Sequence, residues 1–293
     1  MATQQMPVMR RRRIGLTLRK MREQNNMTLE QVAELMECSQ SKISRIETGH
    51  SSVGMRDVRD LLEIYGVTGQ DAMDIMDMAR EARRHERQRS WWHPYSNVLV
   101  SAYVGNENAA SRVRAYEHQV VPGLLQTKDY AEAMFRTSNP NARPEEISER
   151  VRVRLGRQSL LTREDENPLQ FEVVLDEAVI SRPVGGDEVM KAQMLRLCES
   201  ASSMSNVTIQ LLPFEAGAHP AMEGTFAILD FAESDGSSLV YAENATGGLF
   251  LEKERELRFY ENIFDRLREA ALSPEESVKR IAFLAEEPRW KRV

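Results

Sequence analysis

Apolar residues in the first 85 positions fall into five short stripes at helical spacing, which predicts five short helices. The first runs about 12–25 and aligns Ile14, Leu18 and Met21. The second starts at Thr28, which with Gln31 forms a capping box, and carries Leu29, Val32, Ala33 and Met36. The third follows Ser39 as N-cap and stops at Thr48-Gly49, where glycine supplies the left-handed residue. A fourth carries Val58, Leu61, Leu62 and Tyr65, and a fifth Ala72, Ile75, Met76 and Ala79. Narrow stripes of this kind suit a small bundle closed on one core.

The pattern then changes. Residues 80–90 are almost entirely charged or polar and read as a linker or a solvated helical extension. Trp91, Trp92 and Tyr95 follow, as core or as packing for that linker. Residues 106–137 and 144–162 are predicted to be mainly helical. Phe171 to Ile180, Val207 to Phe214, Thr225 to Phe231, Leu239 to Ala242 and Leu249 to Leu251 read as strands, with a helix bearing Met190, Met194, Leu197 and Ala201 between the first two. Leu257, Tyr260, Phe264, Leu267 and Ala271 mark another helix, and Ser273-Pro274-Glu275-Glu276 the start of the last. Gly185-Gly186 and Gly247-Gly248 read as turns. The expected architecture is α+β overall: an all-α, five-helix N-terminal domain over 1–80, a linker or helical extension over 81–95, and a mixed α+β domain over 96–293.

Composition narrows the classes. The chain has 293 residues, 41% hydrophobic and 29% charged, as in globular proteins. No apolar run reaches the roughly 18–20 residues needed to span a bilayer, and no signal core precedes the first basic run, so a cytoplasmic location is expected. Cys38 and Cys198 belong to no C-x-x-C pair and read as reduced thiols. The net charge of −6 is unevenly spread. Residues 1–50 hold nine basic and five acidic side chains, a balance of +4, leaving −10 for the rest. A basic head is drawn to phosphate while an acidic body is not.

The head also carries the clearest chemistry. Thr28 to Gly49 reads as two short helices joined at Glu37-Cys38-Ser39, with small Ala33 allowing a close crossing. Ile43 and Ile46 turn inward. Gln40, Ser41, Lys42, Ser44 and Arg45 are left outward, a face without acids, as a groove lined by phosphates requires. Arg10, Arg11, Arg12 and Arg13 form a basic arm, either solvated or touching phosphate or the minor groove. The five histidines lack metal-ligand spacing, and no G-x-S-x-G elbow is present, so neither metal, cofactor nor enzymatic activity is expected.

This segment resembles the helix-turn-helix of the phage Cro and repressor (XRE) family. The resemblance implies base contacts from Gln40 and Ser41, with Arg45 one turn later, and a structural salt bridge between Arg22 and Glu47. Leu29 stands where that family often has a polar phosphate contact, leaving Thr28 or its backbone N–H to take that place. Further along, Val121-Pro122-Gly123-Leu124-Leu125-Gln126-Thr127 with Tyr130-Ala131, Arg157-Gln158 with Leu161, Val174-Leu175-Asp176-Glu177, Gln193-Met194-Leu195, Leu211-Leu212-Pro213, Gly224-Thr225-Phe226 and Tyr241-Ala242-Glu243 are similar to the actinomycete antitoxin-like transcriptional regulators. That likeness implies a DNA-binding regulator of transcription, commonly encoded beside a small partner protein. The expected protein is a homodimer on double-stranded DNA with an inverted repeat, its C-terminal domain dimerising and sensing a partner or an unknown small-molecule ligand. The alternative is an antitoxin-like protein that sequesters the small partner and autoregulates its operon. The 121–127 motif itself reads as a turn followed by the apolar entry to a helix capped by Thr127.

Overall fold

The computed structural model describes residues 7–49, 53–87, 101–163, 167–231, 238–244 and 247–287; for 7–13, 81–87, 101–102, 244 and 247 only the backbone is described. Contacts divide the chain into two units, Met1–Pro94 and Tyr95–Val293. The fold is α+β overall, with a helical N-terminal unit and a C-terminal unit built on a six-stranded sheet.

The N-terminal unit consists of α1 (Pro7–Gln24), α2 (Leu29–Leu35), α3 (Gln40–Glu47), α4 (Met55–Ile64) and α5 (Gly69–Arg87). The stripes converge on one core in which Ile14, Leu18, Val32, Ile43, Ile46, Val58, Leu61 and Ile75 are all buried. Burying each such side chain is worth about 1.5–3 kcal/mol. Two features depart from the sequence pattern. The first helix begins at Pro7 rather than near 12, so Arg10 to Arg13 lie within it and are not an arm ahead of it. Proline is pre-set for the first helical turn, and arginine is a good helix former. The charged stretch after residue 80 continues α5 as helix to Arg87. Trp91, Trp92 and Tyr95 lie outside the described residues.

The C-terminal unit runs α6 (Ser101–Ala109), β1 (Arg112–Glu117), a 3-10 turn (Gly123–Leu125), α7 (Lys128–Ser138), α8 (Pro144–Arg157), β2 (Gln170–Asp176), α9 (Glu177–Ser181), α10 (Asp187–Ser203), β3 (Val207–Leu212), β4 (Phe226–Asp230), β5 (Ser238–Asn244), β6 (Gly247–Leu251), α11 (Glu254–Ala270) and α12 (Pro274–Glu286). The sheet order is β3-β2-β1-β4-β5-β6. β1, β2 and β3 are parallel, and β4, β5 and β6 continue antiparallel. Helical crossovers make the parallel half possible, α7 with α8 between β1 and β2, and α9 with α10 between β2 and β3. Tyr116, Val174, Phe226, Ile228 and Val240 pack with Phe264 and Leu267 of α11. Positions 115 and 117 of β1 alternate to the opposite face.

Three expectations are corrected here. The region 106–137 is helical at both ends but not throughout, because β1 lies within it at the centre of the sheet. Its arginines are held across neighbouring strands, Arg112 by Glu172 at 2.6 Å and Arg114 by Asp230 at 2.9 Å and by Glu261 of α11 at 3.1 Å. The strand expected over 171–180 stops at Asp176, whose carboxylate accepts from the Ala178 N–H at 2.8 Å and starts α9 instead. Gly247-Gly248 is strand rather than turn, paired with Asn244 and Glu243. A Cβ at 248 would strike the Tyr241 ring, so the absence of a side chain lets the two strands lie together. Cys38 and Cys198 are free and half-buried. Among the described residues, no helix is long and apolar enough to cross a membrane.

Candidate nucleic-acid interface

The helix pair over 28–49 is built from local signals. Thr28 Oγ1 accepts from the Gln31 N–H at 3.2 Å, and the Thr28 N–H donates to Gln31 Oε1 at 2.8 Å, starting α2. Glu37 takes a left-handed conformation, φ 48°, and the Cys38 N–H returns to the Ala33 carbonyl at 2.9 Å, which makes the turn sharp. Ser39 Oγ then accepts from the Lys42 N–H at 3.2 Å and starts α3. Gly49 ends that helix at φ 69°.

Tertiary contacts hold α3 at a fixed angle. Ile43 and Ile46 are buried, with 0% and 2% exposure. Arg22 grips Glu47 through two bonds, Nε to Oε1 at 2.7 Å and Nη2 to Oε2 at 3.0 Å, and its Nη1 donates to the Met27 carbonyl at 2.8 Å. A bidentate guanidinium–carboxylate pair fixes orientation as well as distance, and the bond to Glu47 raises the Arg22 pKa above its ordinary value. Gly15 completes the seat, since a Cβ there would strike the carbonyl oxygens of Ile46 and Glu47. Sequence reasoning did not single out Gly15, because only the crossing of α1 over the end of α3 reveals its role.

The outward residues are not equivalent. Gln40, Ser41 and Arg45 are exposed, and Arg45 Nε donates back to the Ser41 carbonyl at 3.2 Å. No acid lies in the first turn of α3. Ser44 is half-buried, and its carbonyl accepts from Thr48 Oγ1 at 2.7 Å. Lys42 is drawn sideways, its Nζ 2.9 Å from Asp57 Oδ1 at the start of α4. That partner was missed by a reading confined to residues 28–49. Thr28 is exposed, but its backbone N–H is committed to Gln31 and is not free for a phosphate. The backbone of Arg10 to Arg13 belongs to α1, and their side chains lie outside the described residues. Among the described residues, no group of three or more His, Cys, Asp or Glu is placed to hold a metal ion.

Two short helices crossing around a sharp turn, the second presenting a polar, acid-free N-terminal turn, define a helix-turn-helix, and residues 13–74 match the family described as helix-turn-helix domain. The chain is a DNA-binding regulator of that class. Residues 100–282 match the family described as a domain of unknown function (DUF5753), and because that match takes in more than half of the chain, the protein belongs to that family. No curated protein and no solved structure matches the chain.

Proposed function

We propose that this protein is a sequence-specific transcriptional regulator that places the N-terminal turn of α3 in the major groove and works as a homodimer, its C-terminal unit dimerising and receiving a signal from a ligand or a small partner protein. The exposed, acid-free set Gln40, Ser41 and Arg45, on a helix clamped by Arg22–Glu47, carries this reading. Glutamine can bond adenine N6 and N7, and arginine guanine O6 and N7. Fixed phosphate contacts set register, while base contacts set sequence. We read the protein as having no catalytic step.

Selection of bound DNA from a random pool with the full-length protein tests it. An enriched inverted repeat is expected, with half-sites about one helical turn apart or a multiple of that. Arg45→Ala should relax choice at one base pair, at a cost of about 1–3 kcal/mol on the preferred site. Replacing Arg10 to Arg13 together should weaken binding evenly across sequences and flatten its salt dependence. No enrichment, with a small protein co-purifying, would replace this reading with an antitoxin-like one.

A further inference from the structure

The C-terminal unit holds a partly open cavity of about 390 Å³, within the range that small molecules occupy in proteins. It lies between the face of β1 that bears Ala115 and Glu117, the Val121–Gln126 segment, and α8. Phe135 and Phe171 supply apolar wall. The segment is pinned firmly: Gln126 Nε2 donates to the Val121 carbonyl at 2.7 Å, and Gln158 Nε2 to the Gln126 carbonyl at 2.6 Å.

Six charged side chains line the same space, Arg150, Arg154 and Arg157 against Glu107, Glu117 and Glu243. One pair is closed. Arg157 Nε and Nη2 each lie 2.7 Å from a Glu107 oxygen. The others are open. Among the described residues, no hydrogen bond or ion pair closes on the Arg154 guanidinium, which lies over the Phe135 ring at 5.1 Å. Arg150 Nε is buried without a partner, as is Oε1 of Gln126. Glu117 likewise has no cation in bonding range among the described residues, and the charge of Glu243 acts on it unfavourably. Both open groups are shifted toward their neutral forms: burial, then repulsion from Arg157, lowers Arg154 to about 10, and burial, then Glu243, raises Glu117 to about 8. The room for Arg154 is itself built in. A Cβ at Gly123 would lie 2.6 Å from Arg154 Nη1 and 2.9 Å from its Cδ.

Unpaired charge inside a fold is unfavourable unless something pairs it. Fully ionised, the six side chains carry as many positive as negative charges, so an occupant of zero net charge keeps the balance; it must bring both signs, a carboxylate for the open arginines and an ammonium that draws Glu117 back to its charged form. We propose that this cavity binds a small zwitterion, with its carboxylate on Arg154 and Arg150, its ammonium between Glu117 and Glu243, and its apolar body against Phe135 and Phe171. A lone carboxylate would leave Glu117 and Glu243 facing each other. A lone amine would enter beside three arginines.

The assignment deepens the signal-receiving role proposed above and rests on it only for its consequence. Binding is therefore measured on the full-length protein without DNA, by calorimetry and thermal shift. The probes are phenylalanine, tryptophan and a series of straight-chain ω-amino acids, each beside its amine-free acid and its acid-free amine. A zwitterion of at least one scaffold should bind tenfold or more tighter than both of its singly charged relatives. Arg154→Met should remove the preference for the carboxylate, and Glu117→Gln the preference for the ammonium. Glu117→Gln keeps the side chain's length and Arg154→Met keeps most of its apolar stem, and each removes an open ionisable group, so each should fold; the wild-type comparison needs neither. Equal or tighter binding of the acid alone or the amine alone overturns the proposal, as does an absence of binding across the series. A zwitterion that binds as described but leaves operator affinity unchanged upholds the site and overturns only its signalling role.

Discussion

Two arginines, one in each unit, stand in opposite circumstances. Arg22 is clamped by both oxygens of Glu47 and by a carbonyl. Arg154 meets an aromatic ring and a cavity. Arg157, one turn further along α8, is buried and closed on Glu107 as fully as Arg22 is on Glu47, whereas Arg154, half-buried beside it, is left open. Closed pairs hold elements in register. An open charge is costly in the empty protein, and a ligand that supplies the counter-charge gains from relieving it. The head is built to hold a shape, and the body is built to be completed.

The sharpest way to break this comparison is to open the closed pair. Glu47→Ala leaves a buried guanidinium unpaired and frees the end of α3 from α1. Removing one partner of a buried pair costs about 3–5 kcal/mol. Urea unfolding of the full-length chain should show that loss in the transition of the N-terminal unit, with specific DNA binding lost in parallel. A cost under about 1 kcal/mol would mean that packing of Ile43 and Ile46 alone seats α3.

The complementary change closes nothing and removes an open charge. Glu117 has a folded pKa near 8, raised by burial and then by Glu243, and opposed by Arg154 and Arg157. A carboxyl whose folded pKa lies above its unfolded value binds its proton more tightly in the native state. Its contribution is full below the unfolded pKa and is lost as pH rises through the folded one, so the wild type should lose stability between about pH 4.5 and 8. Glu117→Gln abolishes that slope. Its melting temperature should exceed that of the wild type at pH 8.5, and the gap should shrink by pH 5.5. Parallel melting curves across that range would show that Glu117 is already paired.

What the sequence made legible follows from how far apart the deciding residues are. The caps of α2 and α3 join residues three positions apart, Thr28 with Gln31 and Ser39 with Lys42, so they are readable in place. β1 was not. Arg112 and Arg114 look like solvated helix positions until Glu172, Asp230 and Glu261 arrive from distant segments to hold them. The end of β2 turned on a single side chain, Asp176, capping the next helix where continued apolar residues suggested more strand. The cavity was the least legible feature. Its open charges come from β1, α8 and β5, and nothing in the local pattern separates Arg154 from Arg157. The 121–127 motif reads as a turn and a helix entry, and it is both. Its function as a cavity wall depends on Arg154 lying across Gly123.

The smallest expected effect concerns a charge that is closed but at the surface. Lys42 and Asp57 are partly exposed, 40% and 24% at the side chain, and such pairs contribute about 0.2–1 kcal/mol. Asp57 also sits in the first turn of α4, whose N-cap, Gly54, offers no side-chain bond, so it favours that helix end a little further. Asp57→Asn should therefore cost under about 1 kcal/mol of stability. Its larger consequence is on DNA. Free of Asp57, Lys42 can swing to a phosphate, and a single added phosphate contact steepens the dependence of log K on log salt by about 1. Base preference should stay where Gln40, Ser41 and Arg45 set it. If the slope is unchanged, Lys42 stays off the backbone even when released, and the reading face narrows to those three side chains.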